Sequence, residues 1–148
     1  MRQNTWILIA DGSRARILLN EGVGKGLKPA VNQEFEASRA ATRDLGSDRP
    51  GRTFESADGS RHAMAPRADW HQQEKQKFAR HLAKVLDAAA LRKTFDRLVL
   101  VGPPQTLGLL RQALKPGTRR MVSAEIAKDL INIAPGDLPR HLGDAVLL

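Results

Sequence analysis

His62 stands between Arg61 and Ala63 inside a run, Ser38–Ala68, whose six basic residues are all arginine: Arg39, Arg43, Arg49, Arg52, Arg61 and Arg67. An imidazole titrates near neutral pH and can give or take a proton. A guanidinium presents a rigid fork of donors that suits phosphate or carboxylate. The run therefore offers two chemistries, proton transfer at His62 and anion binding at Arg52 and Arg61. Asp11, directly after the apolar stretch Trp6–Ala10, is the natural carboxylate partner if His62 works in a hydrolase. The plainer reading makes Asp11 a turn residue and His62 a solvated loop side chain.

Metal and cofactor chemistry find little footing. A two-metal nuclease needs several carboxylates converging on one site, and the spacing offers only Asp11 and Glu74. Asp96 opens the later apolar run Leu98–Val101 and so lies at its wrong end. His71 and His81 are too far apart to chelate one ion from a single helical turn, and no two histidines stand at i, i+4. The chain has no cysteine, which excludes thiolate metal sites and disulfides. Gly22, Gly24 and Gly26 do not have the spacing of a nucleotide-binding loop, and Gly102–Gly108 (GPPQTLG) is not a phosphate loop. No metal and no cofactor are expected.

Charge points toward an anionic partner. Twenty-four Lys and Arg oppose 16 Asp and Glu, a formal net charge of +8, which favours nucleic acid, a nucleotide or a phosphorylated ligand. A second basic stretch, Arg111, Lys115, Arg119 and Arg120, contains no acid between its ends. Arg14 and Arg111 are candidate supporting phosphate contacts for Arg52, Arg61 and His62. Phe54 is the sole aromatic in the long run, so contact with a phosphate backbone is favoured over base readout. The apolar stretch Trp6–Ala10 is too short for a signal-peptide core or a bilayer span, so a cytoplasmic location is expected.

These residues must be positioned by ordinary elements of one domain, residues 1–148, with 38–68 as a long functional loop. Loops of this length are uncommon in compact domains unless they serve a function or are disordered. Trp6–Ala10, Asp11-Gly12 and Ala15–Leu19 read as a β-hairpin, and Ala30–Ala37 as a third, antiparallel strand. Asp69 with Gln72 fits a capping box ahead of a helix whose apolar stripe is Phe78, Leu82, Val85, Leu86 and Ala89. Lys77, Arg80 and Lys84 fall on another face, which is either simply solvated or an extension of the basic loop. Leu98–Val101 is uninterrupted and apolar, as in a strand buried on both sides. Gly102-Pro103-Pro104 breaks it before a helix with Leu107, Leu110 and Leu114. A weaker strand, Met121–Ile126, and a terminal helix with Leu138, Leu142, Ala145 and Val146 complete the chain. The expected fold is α/β, a five-stranded mixed sheet of ribonuclease H-like arrangement, with a parallel, right-handed crossover between its last two strands.

Taken together, ILIADGSRARIL (Ile7–Leu18), GRTFES (Gly51–Ser56), RHA (Arg61–Ala63), FDRLVLVGPPQTLGLLRQAL (Phe95–Leu114) and EIAKDL (Glu125–Leu130) resemble the bacterial host-attachment protein family, described as required for attachment to host cells. That family is similar to the ribonuclease H-like central domain of eukaryotic and archaeal peptide release factors and Pelota. In release factors the loop between the third strand and the long helix carries a Gly-Gly-Gln motif that positions water at the ester of peptidyl-tRNA. The loop 38–68 stands in the equivalent place without that motif, as in Pelota, and Gln72 and Gln73 follow His71 inside the expected helix. The resemblance implies engagement of tRNA or the ribosome. The alternatives are a regulatory or interaction protein binding an acidic protein or small anion, with an indirect effect on attachment, and a hydrolase using His62 and Asp11.

Overall fold

The computed structural model describes residues 4–22, 24–31, 34–37 and 67–143, with side chains on its long helix described from His71 onward. Strands β1 (Thr5–Ala10) and β2 (Arg14–Asn20) form the antiparallel hairpin, with Ala10 opposite Ala15 across the turn. Two short segments, β3 (Lys28–Pro29) and β4 (Phe35–Glu36), both pair antiparallel with β2. Helix α1 (Arg67–Leu91) leads to β5 (Arg97–Val101), α2 (Pro104–Ala113) and the short α3 (Pro116–Arg119). Strand β6 (Val122–Ile126), a 3-10 turn (Pro135–Asp137) and α4 (Leu138–Leu142) follow.

The sheet is mixed and α/β in class. Its order is β3-β2-β1-β5-β6, with β4 also on β2, and β1, β5 and β6 run parallel. Parallel pairing at its centre buries both faces, which is why β1 and the last four residues of β5 are apolar or buried at every position. On one face Trp6, Leu8, Ile17, Leu98 and Leu100 pack against Phe78, Leu82 and Leu86 of α1 and Leu107 and Leu110 of α2. On the other, Ile7, Ile9, Val99 and Val101 pack beneath Leu130, Leu138 and Leu142. Trp6 and Phe95 pack ring to ring at a 39° tilt with centroids 5.1 Å apart.

Three boundaries depart from the sequence expectation. In place of the single third strand expected over Ala30–Ala37 stand two pieces, Lys28–Pro29 ahead of it and Phe35–Glu36 within it, so six strand segments replace five. Pro29 stands opposite Leu18 and Phe35 opposite Ala15, so six steps of the edge chain cover three of β2. An edge strand tolerates both this and Pro29, which has no N–H to donate. Helix α1 begins at Arg67 rather than at an Asp69 cap. Pro66 precedes Arg67 in sequence, and Asp69 falls in the first turn, where the helix dipole favours an acid. The terminal helix closes at Leu142 with Gly143 at φ +59°; Ala145 and Val146 lie outside the described residues. Among the described residues, no helix is long and apolar enough to cross a membrane.

Candidate nucleic-acid interface

The hairpin turn is held by Asp11. Its Oδ1 accepts the backbone N–H of Ser13 at 2.8 Å and of Arg14 at 2.7 Å, and Asp11 N–H donates to the Arg14 carbonyl at 2.9 Å. An aspartate bonded to backbone two and three residues on is a turn former. The same geometry projects Arg14 from the edge of the sheet. Its Nη2 lies 3.8 Å from Asp11 Oδ2 and donates to Asn132 Oδ1 at 3.1 Å, with its side chain about half exposed.

Three elements converge on this turn. The stem of Lys75, from the early part of α1, lies over Gly12 so closely that a Cβ there would meet Lys75 Cε at 3.0 Å. Lys75 Nζ reaches Gln105 Oε1 at 3.4 Å, and Gln105 Nε2 donates to Gln72 Oε1 at 2.9 Å. Gln105 sits in the first turn of α2, whose N-terminus has neither a side-chain cap nor an acid. Gly102 lets β5 turn into α2 against β1: a Cβ at this position would stand 2.6 Å from the Ala10 carbonyl oxygen. The carboxyl ends of β1 and β5 are therefore roofed by polar side chains of the hairpin turn, α1 and α2, in the region where open α/β sheets place their ligands.

The same edge receives the chain at Ala37, where the segment 38–66 begins. Ala37 N–H donates to the Ser13 carbonyl at 2.7 Å, so the chain leaves from the hairpin turn. Helix α1 starts at Arg67, and Lys75, which covers Gly12 of that turn, lies about 12 Å farther along it at ~1.5 Å per residue. Arg52, Arg61 and His62 themselves lie outside the described residues, as does Phe54.

Arg111 is not brought to this edge. It lies about 9 Å along α2 from Gln105, at ~1.5 Å per residue. There it forms a two-pronged pair with Glu125 of β6, Nε to Oε2 at 3.0 Å and Nη2 to Oε1 at 2.5 Å. The hydrogen bond from Arg111 holds the Glu125 carboxyl below the usual range against some desolvation, and the same bond raises Arg111. Glu74 is half-buried on α1. Among the described residues, no group of three or more His, Cys, Asp or Glu side chains is arranged to hold a metal ion. His81 packs edge-on against Phe35 with centroids 5.8 Å apart.

Several participants escaped the sequence. Lys75, Gln72 and Gln105 carry no motif, and only the glycine at position 12 hints that something approaches the turn. Arg16 crosses from β2 to donate to the carbonyls of Leu130, at 3.1 Å, and Ile133. Burial pushes its guanidinium down while Glu34 opposes the shift. Arg14 and Arg16 together fasten the turn 130–133 to the sheet.

An α/β domain with a polar roof over its parallel strand ends is the class this geometry defines. The chain belongs to the family described as "protein required for attachment to host cells", whose pattern matches residues 6–142. It is 34% identical over 61 residues to the uncharacterized protein RP470 of Rickettsia prowazekii (strain Madrid E), covering 41% of this chain and 39% of that one. A solved structure of an archaeal translation termination factor, aRF1, aligns over 93% of this chain and 37% of its own length, with 12% identity and a TM-score of 0.48. The chain thus spans well under half the length of either.

Proposed function

We propose that this domain engages RNA, a tRNA or the ribosome, through the arginine-rich segment 38–66 presented at the carboxyl edge of its sheet, in the cytoplasm. Arg52, Arg61 and His62 supply the central contacts, and Arg14 supports them from the hairpin turn. The observation that carries this reading is that Ala37, where the segment begins, is hydrogen-bonded to Ser13 of the hairpin turn, beside the polar roof over the parallel strand ends. A +8 chain favours a polyanion, and arginine forks fit phosphate oxygens. Scarcity of aromatics in the segment makes backbone contact the expected mode. Arg111, paired with Glu125, contributes only where a phosphate displaces that carboxylate. Hydrolysis by His62 with Asp11 draws no support from an Asp11 Oδ1 that already accepts two backbone N–H groups.

The test is binding of the full chain to labelled tRNA across a salt series, beside an Arg52→Ala/Arg61→Ala variant. Removing two guanidinium groups from the phosphate path should weaken binding and flatten the salt dependence. Unchanged affinity and slope in the variant would refute the site. The family description favours one second reading, an interaction protein whose loss alters attachment indirectly. Its mark would be capture of a single protein partner that survives nuclease treatment, with no tRNA binding at physiological salt.

A further inference from the structure

Helix α1 carries a second basic feature, away from the roof. Gln73, Lys77, Arg80 and Lys84 are all exposed, and their spacing puts them on one ridge. The buried stripe Phe78, Leu82, Leu86 and Ala89 faces the core. From Lys77 to Lys84 the ridge runs about 10 Å at ~1.5 Å per residue, roughly three steps of a nucleic-acid strand at ~3.4 Å. Among the described residues, none of the three cations has an ion-pair partner. Of the acids flanking the ridge, Glu74 is half-buried. Asp87 is turned to α3, accepting from Thr118 Oγ1 at 2.6 Å and from the Lys115 N–H at 3.2 Å.

Arg80 also walls a groove between α1 and α2 of about 270 Å³, completed by Gln76, Leu109, Gln112 and Ala113. The groove is small for a cofactor, whose sites run to ~300–1,000 Å³. One guanidinium and two amides offer several donors to a single phosphate group. We infer that this ridge, Lys77, Arg80 and Lys84 with Gln76 and Gln112 beside Arg80, is a phosphate-tracking surface that continues the RNA path away from the carboxyl edge. It rests on the RNA reading above. Continuity favours RNA over an acidic protein: the helix that bears the ridge starts where the arginine-rich segment ends, about 15 Å from Lys77 at ~1.5 Å per residue. Contacts of this kind position a backbone and carry no sequence information.

The experiment compares tRNA binding over a salt series for the full chain, for Lys77→Gln/Arg80→Gln/Lys84→Gln, and for Arg92→Gln/Arg97→Gln/Arg140→Gln. The second variant removes the same charge from exposed positions elsewhere, so both should stay folded with unchanged circular dichroism. With three cations removed from the backbone path, the slope of log K against log salt should fall by about 2 in the ridge variant, equally for two unrelated RNA sequences. The other variant should stay close to the parent. Equal slopes for ridge variant and parent, or equal losses in both variants, would overturn the inference while leaving the RNA reading intact. Displacement of tRNA by poly-glutamate as effectively as by an RNA of matched charge would assign the ridge to an acidic protein and also overturn it. Absence of tRNA binding by the parent would sink the RNA reading itself.

Discussion

Gly102 has no room for a side chain, since a Cβ there would stand 2.6 Å from the Ala10 carbonyl oxygen. Backbone cannot swing aside as a flexible side-chain tip can. Gly102→Ala should therefore cost about 1–3 kcal/mol of stability, read as a lower urea midpoint at unchanged slope. Gly108, in the middle of α2, has open space where a methyl group would stand, with nothing within 4 Å. Gly108→Ala should stabilise by about 0.5–1 kcal/mol, because alanine loses less conformational freedom in a helix. Titration offers a third residue-scale check. Arg111 depresses the Glu125 pKa in the folded chain, so their pairing contributes stability above the ordinary glutamate range. That contribution is lost as pH falls through the depressed folded value. A carbon-detected NMR titration of Glu125 should show a midpoint below that of an unstructured glutamate, and Arg111→Ala should return it to the usual range. An unshifted midpoint in the parent would contradict the pair.

Elements with a strong internal period were legible from sequence. Of the expected stripe, Phe78, Leu82, Leu86 and Ala89 are buried and Val85 is half-buried against the core, and Leu98–Val101 is buried throughout because helices or turns cover both faces. What escaped depended on partners distant in the chain. The third strand splits because the surplus residues between Pro29 and Phe35 are visible only against β2. Arg111 looked unopposed because no acid lies between it and Arg120, yet its partner arrives from β6, fourteen residues on. Lys75 reaches the hairpin turn only after α1 has packed on the sheet. Asp87 likewise serves another element: it accepts from the N-terminus of α3 and from Thr118. Asp87→Ala should cost about 0.5–2 kcal/mol, the worth of an N-terminal cap, seen as a lower thermal midpoint. By contrast, Leu86→Ala, in the sheet–helix core, should cost about 2–5 kcal/mol.

At the scale of the whole molecule, the fold divides its labour between two faces and one edge. The faces of the sheet are sealed by α1 and α2 on one side and by Leu130, Leu138 and Leu142 on the other. Among the described residues this cover buries β1 and Leu98–Val101, while β6 at the edge stays partly exposed. The carboxyl edge is where the hairpin turn, Lys75, Gln105 and Ala37, the residue before the arginine-rich segment, meet. The proposed RNA surface is that edge, and a net charge of +8 favours a polyanionic partner. The most direct measurement is ultraviolet cross-linking of the full chain to tRNA at physiological salt, with mass-spectrometric mapping of the attached peptides. The account predicts cross-links concentrated in residues 38–66 and around Ser13-Arg14. Cross-links confined to α3, β6 and α4, or no cross-linked species at all, would contradict it.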